Sequence, residues 1–440
     1  MPRESRRAAA VLVLLASGAD VRGQVPVGEF VGPASCDATA CHGADAPAAD
    51  GIARTEYRTW WRSDPHRGAW QALSSELSRS MGRRLGIADV TQARECLSCH
   101  ALPAAAGAPD APPAAGPRLL EFGVSCEACH GPASGWYGSH FQPGFDRAAA
   151  SRDLGWRDLR DPAQLAAACV RCHVGDADHV VDHAMIASGH PELRFELGWF
   201  LLDAAPHWRQ RGNESRSWFR RAALAGQLAA LQAQLEKLGR EAEAGRPDDS
   251  SLDCAACHHD VEQTAWLALR EWRLARGLGT PPGRPPLEGA RLFTADAVAA
   301  AAAPDAHAEF AAAVAQAGQA LDRAAPAPDV ARAAAEGARQ CGLLLQALAA
   351  LPADAPAAEE VARRLLEEAD RAAAQGFRGA EQAVWLLHSL RVEFESGSWS
   401  PEQGGAASSI SALLGAPLSV RGSYDPGSFA RRLRALMRTD

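Results

Sequence analysis

Lysine is almost missing from this chain. Lys237 is the single lysine among 440 residues, and arginine supplies the rest of the positive charge. That bias reads as coding preference rather than function. No segment forms a basic stripe and the formal net charge is −8, so the composition excludes a nucleic-acid binder. Long apolar runs are also missing. The apolar stretch Ala8–Ala16 is too short to span a bilayer comfortably, and no later stretch is long and apolar enough to cross a membrane. Between residues 24 and 276 regular amphipathic patterns are few, and almost nothing reads as strand.

Cysteine, in contrast, is plentiful and ordered. Ten of the eleven cysteines fall in five copies of one pattern, a cysteine pair followed at once by histidine. Four copies are evenly spaced: Cys96-Leu97-Ser98-Cys99-His100, Cys126-Glu127-Ala128-Cys129-His130, Cys169-Val170-Arg171-Cys172-His173 and Cys254-Ala255-Ala256-Cys257-His258. The fifth, Cys36-Asp37-Ala38-Thr39-Ala40-Cys41-His42, has four residues between its cysteines. A lone pair of this kind could bind zinc or work as a redox dithiol. Neither chemistry needs a histidine directly after every second cysteine. Covalent attachment of haem c does: two thiols add to the vinyl groups of one ring, and the adjacent imidazole rises to the iron. The pattern therefore predicts five haems c, attached at Cys36/Cys41, Cys96/Cys99, Cys126/Cys129, Cys169/Cys172 and Cys254/Cys257. The proximal iron ligands are then His42, His100, His130, His173 and His258. For the stretched pair the competing reading is a disulfide or an unused pair.

The rest of the chain fits around these motifs. Residues 1–23 read as an export signal: Arg3, Arg6 and Arg7 precede the apolar run, and Ser17-Gly18-Ala19 offers small residues for cleavage. A retained N-terminal anchor is the competing reading. Export to the periplasm agrees with attachment of haem c outside the cytoplasm. Residues 24–276 carry every motif and read as a mainly α, multihaem cytochrome c domain with long loops, in which the haems form the core. One such loop is 101–117, and short helices are expected at Thr55–Arg62, Ala69–Leu85 and Gly198–Leu202. Within 215–240, Leu224, Leu228, Leu231, Leu235 and Leu238 share one helical face. Residues 277–288 are rich in proline and glycine and read as a linker. Residues 289–440 are alanine-rich, with amphipathic patterns at Cys341–Leu348, Val361–Ala374 and Ala380–Phe394, and read as an α-helical bundle. Cys341 is expected as a buried core thiol. His307 and His388 lie far from every motif. A fragment ending near Gly283 is thus expected to remain soluble and to keep every haem.

At three places the chain resembles a known family. Ser63-Asp64-Pro65-His66 follows the first motif. Gly123-Val124-Ser125 leads into Cys126–His130, followed by Gly131-Pro132-Ala133, Trp136 and His140. Asp182-His183-Ala184-Met185-Ile186-Ala187-Ser188-Gly189-His190-Pro191 follows the fourth motif. These segments resemble the multihaem cytochromes typified by the tetrahaem cytochrome c-554 of ammonia oxidisers, a group related in haem packing to hydroxylamine oxidoreductase. The likeness covers roughly residues 30–270. This chain departs from the family in having five motifs rather than four and in the stretched first one, so the family's open haem assigns none here. The resemblance and the motif count together make His66, His140, His183 and His190 candidate distal ligands. His259, next to the proximal His258, is the fifth candidate and would serve a neighbouring iron. His207 competes with it, and His179 reads as a proton-carrying neighbour of Asp176 or Asp178.

Function turns on the second axial position of each iron. Two histidines close it and leave an electron carrier between redox donor and acceptor proteins, membrane-associated ones included. One open iron would admit a small nitrogen or sulfur compound and make the chain an oxidoreductase. A redox or gas sensor, or an assembly component whose bundle binds a partner, is the third reading. No catalytic residue is assigned.

Overall fold

The structure, a computed structural model, describes residues 28–46, 54–102, 117–203, 212–245, 247–258, 264–275, 285–322, 324–352, 355–391 and 424–436. The export signal, His207, His259 and most of the expected loop 101–117 and linker 277–288 lie outside them. Among the described residues every regular element is helical, and one isolated antiparallel bridge joins Leu252 to Leu287.

Short helices carry the motif-bearing part: α1 (Glu56–Ser63), α2 (Ala69–Leu73), α3 (Glu76–Leu85), α4 (Arg94–His100), α5 (Pro117–Leu120), α6 (Cys126–His130), α7 (Arg147–Asp153), α8 (Pro162–His173), α9 (His183–Ala187) and α10 (Leu197–Asp203). Their ends follow local capping chemistry. The helix expected over 69–85 is broken because the Ser75 hydroxyl accepts the Ser78 N–H at 3.1 Å and starts α3 afresh. Asp161 caps α8 ahead of Pro162, and Asp182 caps α9 by accepting the Met185 N–H at 2.8 Å. Three of the five motifs end a helix, at His100, His130 and His173. One helical turn brings cysteines three apart onto one face, with the next histidine beside them. The motif at Cys254 opens on a 3-10 turn, Cys254–Ala256, capped by Asp253.

Longer helices follow: α11 (Gly212–Glu243), α12 (Thr264–Ala275), α13 (Ala290–Ala302), α14 (Pro304–Asp322), α15 (Ala327–Ala350), α16 (Ala357–Glu367), α17 (Ala369–Ala374), α18 (Gly376–Arg391) and α19 (Pro426–Ala435). The pattern over 361–374 is split between α16 and α17 at Glu368. The five leucines of α11 are at most 2% exposed. They do not form the single apolar stripe that their spacing suggests, because Ala222, Ala223, Ala225, Ala229 and Ala230 are buried as well. Small residues let neighbours approach on all sides: α11 packs on α15 and α8, and also on α13, α10 and α18. Gly198 marks one close junction, where a Cβ would stand 2.6 Å from Ser389 on α18 and 2.9 Å from Ala223 on α11.

One apolar core therefore runs from Ala166 on α8 through α11 to Leu433 on α19. A small second cluster of Leu73, Val90, Leu97, Ala101 and Leu120 surrounds the motif at Cys96. The apolar core draws on helices from both sides of the expected linker 277–288. The long helix on its N-terminal side buries its leucines against helices on its C-terminal side. The end of the linker also returns to the last motif: the Asp253 N–H donates to Pro286 O at 2.9 Å, and the Glu288 N–H to Ser251 O at 3.2 Å. Cys341 is fully buried in this core.

Candidate haem centres

Four histidines from the motifs face four histidines from outside them. His42 lies against His140 with ring centres 6.1 Å apart and planes 13° from parallel. His100 meets His190 at 6.4 Å, His173 meets His66 at 6.0 Å, and His258 meets His183 at 5.9 Å. Transition-metal–imidazole bonds run about 2 Å, and a ring centre sits roughly 1 Å behind its nitrogen, so two coaxial imidazoles on one metal have centres about 6 Å apart. The pairs match that spacing. Each site offers two histidines with cysteines alongside, and among the described residues no three or more His, Cys, Asp or Glu gather into a metal-ion cluster. That arrangement suits a metal whose remaining positions are filled by a planar ring, not a tetrahedral zinc site.

The outer ring nitrogens support the same reading. Nδ1 of His100 donates to Ala69 O at 2.8 Å, Nδ1 of His140 to Tyr137 O at 2.9 Å, and Nδ1 of His190 to Pro191 O at 2.7 Å. His66 uses Nδ1 on the Asp64 carboxylate at 2.9 Å, and His42 uses Nδ1 on Glu56 at 3.1 Å. An acceptor at Nδ1 places the proton there and leaves the Nε2 lone pair for a metal. The Pro191 beside His190 thus supplies an acceptor as well as a stiff backbone.

Chain order does not predict the pairing. His66, just after the first motif, faces the fourth, and His140, just after the third, faces the first. The thiols show a matching interleaving. Cys36 lies in hydrogen-bonding contact with Cys126, and Cys99 with Cys172, so motifs one and three adjoin, as do two and four. No disulfide joins any of the eleven cysteines. Glu127, buried inside the third motif, ties the segment before the first motif to the segment of the third. It accepts the Val31 and Gly32 N–H groups at 2.9 and 2.7 Å and the Ala133 N–H at 2.8 Å. Gly131 follows with φ 85°, and a Cβ there would meet Gly155 O at 2.0 Å. Only glycine accepts both the turn and that approach.

The remaining motif histidine, His130 of the third motif, has Trp156 at 6.4 Å, within a cluster that includes Trp136. The candidates left for its iron, His207 and His259, lie outside the described residues. His179 meets no motif histidine. It is 5% exposed and gives its Nδ1 proton to Asp176 at 2.6 Å, where Arg171 also binds at 3.0 Å. In the C-terminal helices His307 pairs with Asp296 at 2.7 Å, and His388 stands over Trp199.

A family model described as cytochrome c554 and c-prime matches residues 35–131, which hold the first three motifs. The chain resembles the cytochrome c-554 family. Cytochrome c-554 of Nitrosomonas europaea is 25% identical over 172 residues, which cover 38% of this chain and 65% of that relative. The matched stretch thus covers less than two thirds of that relative's length. No solved structure matches. Haem c bound through thioethers is the cofactor this likeness carries, and the paired histidines and thiols suit it. The motif pattern alone does not reveal Glu56, Asp64 and Glu127, which support His42, His66 and the third motif through hydrogen bonds. The signal for two of them was present, since Asp64 precedes a Pro-His pair and Glu127 lies inside a motif.

Proposed function

We propose that this chain is an exported, periplasmic cytochrome that passes electrons between a donor and an acceptor protein through bis-histidine haems, five in all. The observation that carries the reading is the set of four histidine pairs, each joining a motif residue to a remote one at 5.9–6.4 Å. Bound haem c supplies a one-electron iron couple. The chain's part is to hold both axial nitrogens, fix their tautomers through Nδ1 acceptors, and set the attachment thiols of different motifs side by side. Closing both faces of an iron leaves electrons a path and leaves substrate no position. Such a centre needs no acid, base or nucleophile. Among the described residues no helix is long and apolar enough to cross a membrane.

Intact mass of the mature protein tests the load: five haems are expected, and an increment for four would mean that Cys36/Cys41 is unused. Carbon monoxide added to the reduced protein tests the wire. Binding at two or more haems would replace it with the alternative, an oxidoreductase acting on a small nitrogen or sulfur compound.

A further inference from the structure

Two tryptophans flank the imidazole that faces His42 in the first centre. Trp136 lies four residues before His140, whose backbone N–H donates to Trp136 O at 3.0 Å. Its ring meets the His140 ring edge-on at 5.4 Å. Trp156 stacks on the same imidazole at 6.3 Å and also reaches His130 at 6.4 Å. The two indoles touch at 4.6 Å with planes 89° apart, and Phe145 packs on Trp156 at 5.5 Å. Glycines press the two segments together. A Cβ at Gly131 would stand 2.0 Å from Gly155 O, and one at Gly135 would stand 3.2 Å from Leu154 O. The Arg157 N–H donates to His130 O at 2.9 Å, and the Trp156 N–H to Ala150 O at 3.2 Å. Close-packed backbone therefore sets both rings.

This aromatic wall carries two donors that the chain does not use. The indole nitrogens of Trp136 and Trp156 are buried, and neither has a hydrogen-bond partner among the described residues. Trp136 as a whole is 7% exposed. Buried donors without an acceptor are rare and destabilising, so two side by side call for an acceptor from outside the polypeptide. The face of a neighbouring ring is a weak substitute, and an edge-to-face pair of indoles can meet one N–H that way at most. Nearby polar groups are already engaged: Nδ1 of His140 donates to Tyr137 O at 2.9 Å, and the Arg157 guanidinium to Ala128 O at 2.7 Å. Haem c brings an acceptor of the right kind, because its ring carries two carboxylates besides the thioether positions. Among aromatic side chains an ionised carboxylate needs donors to be tolerated, and its bonds to N–H groups are of the strong, charge-assisted sort.

We propose that Trp136 and Trp156 are carboxylate anchors: their indole N–H groups donate to the propionates of the haem held by His42 and His140. His140 is the imidazole that both indoles touch, which assigns the carboxylates to the first haem rather than to the haem of His130. In this role the pair spreads the carboxylate charge and so favours the electron on that iron.

The proposal rests on the first haem and its ligand pair His42/His140, and it is tested on the holoprotein. Trp136→Phe and Trp156→Phe each keep an aromatic ring and remove one donor. Each should shift a propionate bending band in the resonance Raman spectrum and lower the midpoint of one haem component, with the spin-state bands unchanged. That component should be the one that His140→Ala converts to high spin. The unmodified protein offers a second reading: the same bands should move on slow exchange into deuterium oxide, as indole N–H becomes N–D. Propionate bands and midpoints unchanged in either variant, or bands indifferent to deuterium, overturn the proposal. A shift confined to another component overturns the assignment to the first haem. An intact mass one haem short, or His140→Ala leaving every low-spin signal intact, refutes the haem or its ligand pair instead.

Discussion

Cutting the chain within the linker, after Gly283, removes α13 to α19 and keeps every motif and every candidate distal histidine. If the motif-bearing part were self-contained, the fragment would be a soluble red protein. The packing of α11 predicts otherwise. Leu224, Leu228, Leu231, Leu235 and Leu238 are at most 2% exposed, and α15 is the main partner of that helix. Burying one leucine contributes about 1.5–3 kcal/mol, so five represent roughly 7–15 kcal/mol. That is an upper figure, because α8 and α10 retain part of the cover. It is still as large as the whole stability of an ordinary domain. The cut also removes Ser389 and Gln382, leaving Glu196 and the Phe195 carbonyl short of donors. The fragment, matured with haem, should therefore self-associate, bind a dye for exposed apolar surface and melt well below the full chain. Gel filtration, dye fluorescence and thermal denaturation followed at the haem band would show this. A monomeric fragment melting within a few degrees of the full chain would refute the single-core reading. Gly337→Leu offers the same test by one residue, since a Cβ at Gly337 already stands 2.9 Å from Leu235 Cδ1; overpacking should cost about 1–3 kcal/mol.

Other predictions concern the centres and the buried acids. His190→Ala should convert one low-spin haem to high-spin and create a carbon monoxide site, read by absorption of the reduced protein. Gly131→Ala forces a side chain into a left-handed turn and against Gly155 O; it should cost at least about 1–3 kcal/mol in denaturant titration. Glu127→Ala orphans the N–H groups of Val31, Gly32 and Ala133 and should destabilise by about 2 kcal/mol or more, measured the same way. Glu196 carries a pH signature in stability. Its acid is raised in the folded chain to about 7, so its stabilising contribution is complete below the unfolded carboxyl range and is lost as pH rises through neutrality. The span is about 3 kcal/mol, and thermal melts of Glu196→Gln against the unmodified protein between pH 4 and pH 8 should show it missing from the variant.

The candidate centres are legible as motifs because their pattern is local. A thiol pair and a histidine must reach one ring, so the motif survives in any fold, and the four distal candidates stood beside prolines or in family-like segments. Their partners were not legible, because the pairing is set by how short helices cross, and no local rule links His66 to His173 or His140 to His42. The leucine spacing of α11 was read correctly as helix, but the intervening alanines that bury its other sides look unremarkable in sequence. Composition over 277–288 also hides the hydrogen bonds that join Pro286 to Asp253 and Glu288 to Ser251. Glu196 was missed although its setting was visible, as the one acid in the apolar stretch from Phe195 to Leu202.

The central claim is that this chain closes its irons with paired histidines. Electron paramagnetic resonance of the oxidised holoprotein, with spins counted against the haem content, tests it most directly. At least four low-spin bis-histidine haems and at most one high-spin haem are predicted. Two or more high-spin haems would contradict the account, because the four observed pairs would not then be ligand pairs.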